Sequence, residues 1–221
     1  MLPRVILHNA VSLDGRLDHL NVDLGLYYGL AAGFGADAML SGSETLLTAI
    51  DEIPPDDGGE PAPAGTGDAE LPLLVVADGR GRIRTWHYWR KQAYWRSAVV
   101  LCHRQTPGDY LDYLREKRVD YIIAGENRVD LRAALLELNN RHGVRTIRVD
   151  SGGTLNGALL RAGLIDEVSL MLHPVLVGGE SPRTFFRASD LAGPEGVIAL
   201  RLKHLEKLTG DLVWLRYDVV K

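Results

Sequence analysis

The sequence predicts an α/β fold: a three-layer α/β/α arrangement whose central sheet is mostly parallel and ends in antiparallel strands at the C-terminus. Three observations carry this expectation. Short β-branched runs alternate with stretches of helical spacing over the first three quarters of the chain. Most of those runs end in a turn of Gly, Ser, Thr or Asp, as strands do when they feed helices across a parallel sheet. After Ile165 the alternation stops, and long strand-like segments follow, the last two joined through Thr209-Gly210-Asp211. At 221 residues, with 46% apolar and 24% charged residues, the chain is long enough for one domain with a substantial core and too apolar for a disordered one. We read 1–221 as a single domain.

The elements follow in order. Arg4 to Val11 is a strand buried on both faces, and Ser12-Leu13-Asp14-Gly15-Arg16 is a polar loop at its end, where open α/β sheets collect ligands. Asp23 to Phe34 has helical spacing and closes on Gly33 and Gly35. Ala36 to Leu40 is a strand; Ser41 and Gly42 turn it into a helix for which Ser43 is the expected N-cap, with Thr45 in its first turn. Residues 53–70, with Pro54, Pro55, Pro61, Pro63 and several glycines, are expected to be a mobile excursion. A strand resumes at Leu71 to Val76, with the turn Asp78-Gly79-Arg80-Gly81-Arg82 after it. Trp86 to Trp95 is expected as an amphipathic aromatic helix, Ser97 to Leu101 as a strand, Gly108 to Lys117 as a helix, Val119 to Ile123 as a strand and Leu131 to His142 as a helix.

The next unit is the most informative. Thr146 to Val149 ends in Asp150-Ser151-Gly152-Gly153, and Thr154-Leu155-Asn156-Gly157-Ala158-Leu159-Leu160 then begins a helix. The first amides of a helix have no intrahelical partner, and glycine lets an anion reach them, so Gly152 to Leu155 outlines a phosphate cradle. A strand from Asp166 to Val177 and a hairpin of Leu200 to Lys207 with Leu212 to Val220 complete the chain.

Composition excludes several functions. A net charge of −4 gives no basic field for nucleic acid. Cys102 is the only cysteine, which rules out an intrachain disulfide and a multi-cysteine metal site; its apolar run makes it a buried hydrophobe. No histidine pair has helical zinc spacing, so no metal is expected. No apolar run is long enough for a membrane span and the N-terminus enters a strand directly, so the expected location is cytoplasmic. P-loop, HExxH, G-x-S-x-G and G-x-G-x-x-G motifs are missing. What is left suits a cofactor that brings its own reactivity to a small-molecule substrate, the protein supplying position and charge.

Four segments then carry a resemblance. Asn9-x-x-Ser12-x-Asp14-Gly15, Ala36-Asp37-Ala38-x-Leu40-x-Gly42-x-x-Thr45, the run from Val149 through Gly152-Gly153-Thr154-Leu155-Asn156-Gly157 to Glu167, and Pro174-Val175-Leu176-Val177-Gly178-Gly179 resemble the pyrimidine reductases of riboflavin biosynthesis, which have the dihydrofolate-reductase-like fold. The resemblance implies NADPH as hydride donor and a 5′-phosphorylated ribosylaminopyrimidine as acceptor, its ribosyl group reduced to ribityl. It implies that Ser41, Gly42, Thr45, Gly152, Gly153, Thr154 and Leu155 hold NADPH, that Asn9, Ser12, Asp14, Arg16 and Asp150 face the substrate, and that Asp14 assists protonation. A homodimer is implied too, with the aromatic segment 86–95 as a candidate surface. The chain departs from the family at Asp150, where Glu is common, at Ser151, where Gly is, and after Thr45, where the family's Asp and Pro stand closer together than Asp51 and Pro54 and the loop to Glu70 is shorter. The rival reading is a reductase of another pterin, pyrimidine or small carbonyl compound, or a nucleotide-binding relative without turnover.

Overall fold

The computed structural model describes residues 1–50, 52–56, 70–181 and 183–221. Most of the excursion expected over 53–70 lies outside these residues. In chain order the elements are β1 (Arg4–Ser12), α1 (Leu24–Ala32), β2 (Ala38–Gly42), α2 (Ser43–Thr48), β3 (Leu73–Ala77), α3 (Trp86–Trp89), β4 (Ser97–Cys102), α4 (Gly108–Glu116), β5 (Asp120–Ile123), α5 (Leu131–His142), β6 (Thr146–Val149), α6 (Gly153–Arg161), β7 (Glu167–His173), β8 (Leu200–Lys207) and β9 (Val213–Val219). Among the described residues nine strands run in the order β5-β4-β3-β2-β6-β1-β7-β9-β8. Two compact units share the chain: residues 1–3 with 36–147, and residues 4–35 with 148–221.

In the first unit β2, β3, β4 and β5 pair in parallel, as their unbroken apolar runs require. Their core is Leu74, Val76, Val100 and Cys102 against Trp86, Trp89, Tyr110 and Leu114. This overturns the reading of 86–95 as an aromatic surface helix. Only Trp86–Trp89 is helical, and both tryptophans are buried. Trp86 Nε1 donates to Tyr110 Oη at 3.2 Å, and Trp95 Nε1 donates to the Trp89 carbonyl at 2.8 Å, which folds the segment back on itself. Burying rings of this size outweighs one more turn of helix. Gly42, with extended backbone, is the N-cap of α2; Ser43 is its first helical residue. Cys102 is buried as expected, and burial pushes its thiol up to about 12, far from nucleophilic.

In the second unit β1 and β7 are parallel, while β7–β9 and β9–β8 are antiparallel with a bulge at Leu202/His204. Asp23 caps α1 by accepting from the Leu26 amide at 3.0 Å. One carboxylate links all four strands. Glu167 on β7, its side chain 1% exposed, takes Arg4 of β1 at 2.5 Å, Lys203 of β8 at 2.6 Å and Arg216 of β9 at 2.5 Å. Among the described residues no helix is long and apolar enough to cross a membrane.

A buried imidazole in the same unit has its hydrogens fixed by its partners. His8 Nε2 lies 3.3 Å from the Tyr27 carbonyl, which can only accept, so Nε2 carries a hydrogen. Nδ1 lies 2.9 Å from Ser169 Oγ, which in turn accepts from Trp214 Nε1 at 2.9 Å. A neutral ring satisfies all of these. Burial, helped by the charges of Arg148 and Arg216, lowers the His8 pKa to about 4. The unfolded chain therefore binds a proton that the fold refuses, and stability is expected to fall as pH drops from about 6.5 towards 4, by at most about 3 kcal/mol. Melting curves over that window check this. His8→Asn should flatten the slope, and an unchanged slope would assign the loss to other groups.

Candidate functional site

Most of the residues expected at the site lie in the second unit, at the carboxyl ends of β1, β6 and β7. The loop after β1 is tied by its own side chains. Ser12 Oγ donates to Asp14 Oδ1 at 2.6 Å and accepts from the Arg16 amide at 2.9 Å, while Gly15 takes a φ of 77°, which favours glycine. Asp14 also accepts from the Val177 amide at 3.1 Å and the Gly178 amide at 2.7 Å, and so holds the Pro174 to Gly179 turn beside the loop.

Those bonds change what Asp14 can do. With the Ser12 hydroxyl first and the two amides next, its pKa is held below the usual carboxylate range. A group that stays ionised is poorly suited to giving a proton. The contacts favour a fixed negative charge at Asp14 over the expected assistance to protonation. Arg16 is 4.0 Å from Asp14, and its Nη1 donates to the Ser181 carbonyl. Asn9 is turned inward: its Nδ2 donates to the Ser151 carbonyl at 3.0 Å, and its Oδ1 accepts from Asn156 Nδ2 at 2.9 Å. It shapes the loop after β6 and presents little surface to a ligand.

Asp150 follows β6 and is partly buried. Burial pushes its carboxyl up, against the pull of the Arg148 guanidinium and a hydrogen bond with Tyr27. Two carboxylates in one unit are thus driven in opposite directions.

Gly152 caps α6 with extended backbone (φ −79°, ψ 169°) and offers no side chain to the first helical amides. A β-carbon built on it meets nothing within 4 Å. Thr154 is exposed and Leu155 half-buried. Gly153 is different: a β-carbon there would run into the Thr184 carbonyl and lie 3.1 Å from the Arg187 amide, and at Gly157 it would strike the Arg187 carbonyl. Residues 184–187 therefore lie backbone to backbone along α6. Arg187 N donates to the Gly153 carbonyl at 3.0 Å, and Phe185 N to the Gly15 carbonyl at 3.1 Å, so this strap joins the β1 loop to the start of α6.

Ser41, Gly42 and Thr45 belong to the first unit, where Ser41 is buried in β2, Gly42 ends that strand and Thr45 lies in the first turn of α2. Asp78 is buried in the turn after β3, accepting from the Ile83 amide and Tyr110 Oη at 2.9 Å each.

Sequence reasoning missed Tyr27, Asn156 and the strap. Two signals were present: an Asn and a second Gly inside a helix both weaken it, and each needs a packing reason. Asn156 Nδ2 binds the Phe185 carbonyl at 2.7 Å, and Gly157 admits the Arg187 carbonyl.

The open N-terminus of α6, with room at Gly152 for a ligand atom where a side chain would stand, fits the phosphate of a nucleotide. Residues 3–214 match the RibD C-terminal domain. The chain belongs to that family. This RibD C-terminal domain is 30% identical over 229 residues to the 2,5-diamino-6-ribosylamino-4(3H)-pyrimidinone 5′-phosphate reductase of Methanothermobacter thermautotrophicus, covering 96% of this chain and 97% of the relative. It is 30% identical over 204 residues to the reductase of the same name from Archaeoglobus fulgidus, covering 83% and 86%. A pyrimidine reductase-like protein from Corynebacterium diphtheriae has a similar fold, with a TM-score of 0.75 at 19% identity over 99% of this chain and 92% of that one. The RibD C-terminal domain match runs from β1 through β8 into the start of β9, so it includes every residue expected at the site.

Proposed function

We propose that this RibD C-terminal domain is a reductase of riboflavin biosynthesis that uses NADPH to convert the ribosyl group of a 5′-phosphorylated ribosylaminopyrimidine to ribityl. The open, uncapped start of α6 directly after Asp150 carries the reading, supported by two relatives named for that reduction. Bound NADPH supplies a hydride. Gly152 to Leu155 would take a phosphate on backbone amides, and Ser41, Gly42 and Thr45 would add amide and hydroxyl donors in the first unit. Asp14 stabilises, as a fixed negative charge, the positive character of C1′ in a ring-opened imine, and Ser12 and Arg16 hold its loop.

The function is tested by NADPH oxidation with 2,5-diamino-6-ribosylamino-4(3H)-pyrimidinone 5′-phosphate. Turnover with that compound is expected, and NADPH binding without turnover would shift the substrate to another pterin, pyrimidine or carbonyl compound. Asp14→Asn keeps one acceptor oxygen and sets an amide NH2 against either the Val177 or the Gly178 N–H. It should lower kcat by about tenfold to a hundredfold, the scale of a misplaced group, and leave the NADPH Kd unchanged. An unchanged kcat removes Asp14 from the site.

We place the homodimer on the β8–β9 hairpin instead of the aromatic segment. Leu200, Leu202 and Leu205 pair directly with Val219, Tyr217 and Leu215, so they share one sheet face, and all three leucines are exposed.

A further inference from the structure

We propose that His173 is a substrate-binding residue whose Nε2 hydrogen-bonds a hydroxyl of the substrate's ribosyl chain. The identity of that ligand rests on the reductase reading; the site itself rests on where the strands place an unpaired nitrogen.

Two imidazoles share one face of the sheet in the second unit. On β7, Ser169 and His173 are separated by an even number of residues, and so are His8 and Ser12 on β1, so each pair projects to one side of its strand. The parallel register sets Ser169 opposite His8 and His173 opposite Ser12. His8 Nδ1 lies 2.9 Å from Ser169 Oγ, which puts all four side chains on the same side. That is the side α1 covers, because Tyr27 stacks on His8 with ring centroids 4.4 Å apart.

The four differ in what they bind. His8 has both ring nitrogens engaged, by Ser169 Oγ and by the Tyr27 carbonyl. Ser12 Oγ donates to Asp14 and accepts from the Arg16 amide. His173 is only 7% exposed, yet its Nε2 is buried without a hydrogen-bond partner among the described residues. An unpaired buried nitrogen destabilises the fold, and a ligand that bonds it removes that loss. His173 is also in the right place for one. It ends β7 at the carboxyl end of the strand, directly across from Ser12, and the turn that Asp14 holds through the Val177 and Gly178 amides begins at the next residue. Nε2 itself is covered, so the ring turns about its Cα–Cβ bond as the ligand arrives, a side-chain change of the kind common on binding.

The ring and its neighbours select the ligand's chemistry. Burial lowers the His173 pKa, so the ring is neutral at pH 7. A neutral imidazole offers one N–H and one lone pair, which matches a hydroxyl, itself both donor and acceptor. A phosphate is a poorer match. Ser12, opposite His173, bonds the ionised Asp14 at 2.6 Å, and a second anion beside that carboxylate would be repelled. With Asp14 facing C1′, the uncharged groups nearest to it are the hydroxyls of the same sugar chain.

Nitrogen-15 spectra of histidine-labelled protein read the contact directly, with His173→Gln assigning the resonance. Ribose 5-phosphate is the probe, because it carries the sugar hydroxyls and the phosphate without the pyrimidine. At saturation it should move the His173 Nε2 resonance, and inorganic phosphate at the same concentration should not. A resonance that ignores ribose 5-phosphate, or moves as far with phosphate alone, overturns the proposal. Kinetics with 2,5-diamino-6-ribosylamino-4(3H)-pyrimidinone 5′-phosphate then read the variants. His173→Phe should raise KM for the pyrimidine about tenfold, with kcat and NADPH affinity close to wild type. Its Tm should be no lower than wild type, since an unpaired buried nitrogen is exchanged for carbon. His173→Gln restores a donor and an acceptor and should recover part of the KM. Wild-type KM with a lowered Tm in His173→Phe is what a purely structural imidazole would give, and it overturns the contact. If His173 answers to ribose 5-phosphate but wild-type protein does not turn over the pyrimidine, the site stands and the reductase reading falls; turnover with a silent Nε2 resonance means the reverse.

Discussion

Glu167→Gln is expected to destabilise the protein by about 3 kcal/mol and to lower its Tm by about 10 °C. Glutamine fills the same space, so the change is one of charge. Burial works against an ionised Glu167, but Arg216 and Lys203 more than offset it, and its pKa settles below the ordinary value. Neutralising it leaves Arg4, Lys203 and Arg216 converging on a site without a counter-charge. Those cations are 46%, 36% and 22% exposed and can relax into water, which keeps the loss near the lower end for a broken buried pair. The pH dependence follows from the sign of the shift. A depressed carboxylate pKa contributes stability that is present above the unfolded pKa, near 4.3, and is lost as pH falls through the folded one. Denaturant curves of wild type and variant should therefore differ at pH 7 and converge in acid. A variant as stable as wild type at pH 7 would show that Glu167 does not hold the four strands together.

Glu167 also shows where sequence reading ends. It lies inside the long motif that carried the family resemblance, yet its partners are 163, 36 and 49 residues away, and nothing local names them. Asp14 is the same case. Ser12 is two residues off and was legible as a neighbour; the Val177 and Gly178 amides that fix its ionised state are 163 and 164 residues distant. The legible features were those whose cause is local. Helix α5 was found within its observed bounds because Asp130 caps one end, accepting from the Ala133 amide at 3.0 Å, and Gly143 closes the other with φ 66°. Strand β6 and the start of α6 were legible because an acidic residue and two glycines between a β-branched run and a helical one leave few alternatives. The aromatic segment misled because Trp86 and Trp89 are at helical spacing in either case, and only the core partner Tyr110 decides that the helix stops after one turn.

Gly152→Val is expected to weaken NADPH binding by about a hundredfold, about 3 kcal/mol, with Tm unchanged. The separation of these two readouts comes from the neighbouring glycines. Gly152 has backbone angles that any L-residue adopts, and a β-carbon on it meets no atom of the protein, so valine there costs the fold little. Its methyl groups would instead stand at the mouth of α6, where the phosphate has to reach the first amides. Gly153→Val, the more obvious choice from the sequence, confuses the two effects. Its side chain would be driven into the Thr184 carbonyl and would break the strap that joins the β1 loop to α6. Gly157→Ala should show that fold effect alone, because the Arg187 carbonyl occupies the space of its methyl group. Calorimetric titration with NADPH beside a thermal melt reads all three variants. The expected pattern is lost affinity without lost stability at Gly152, lost stability at Gly157, and both at Gly153. Wild-type affinity in Gly152→Val would mean that no phosphate reaches the α6 terminus, and the nucleotide would then have to be held by Ser41, Gly42 and Thr45 alone.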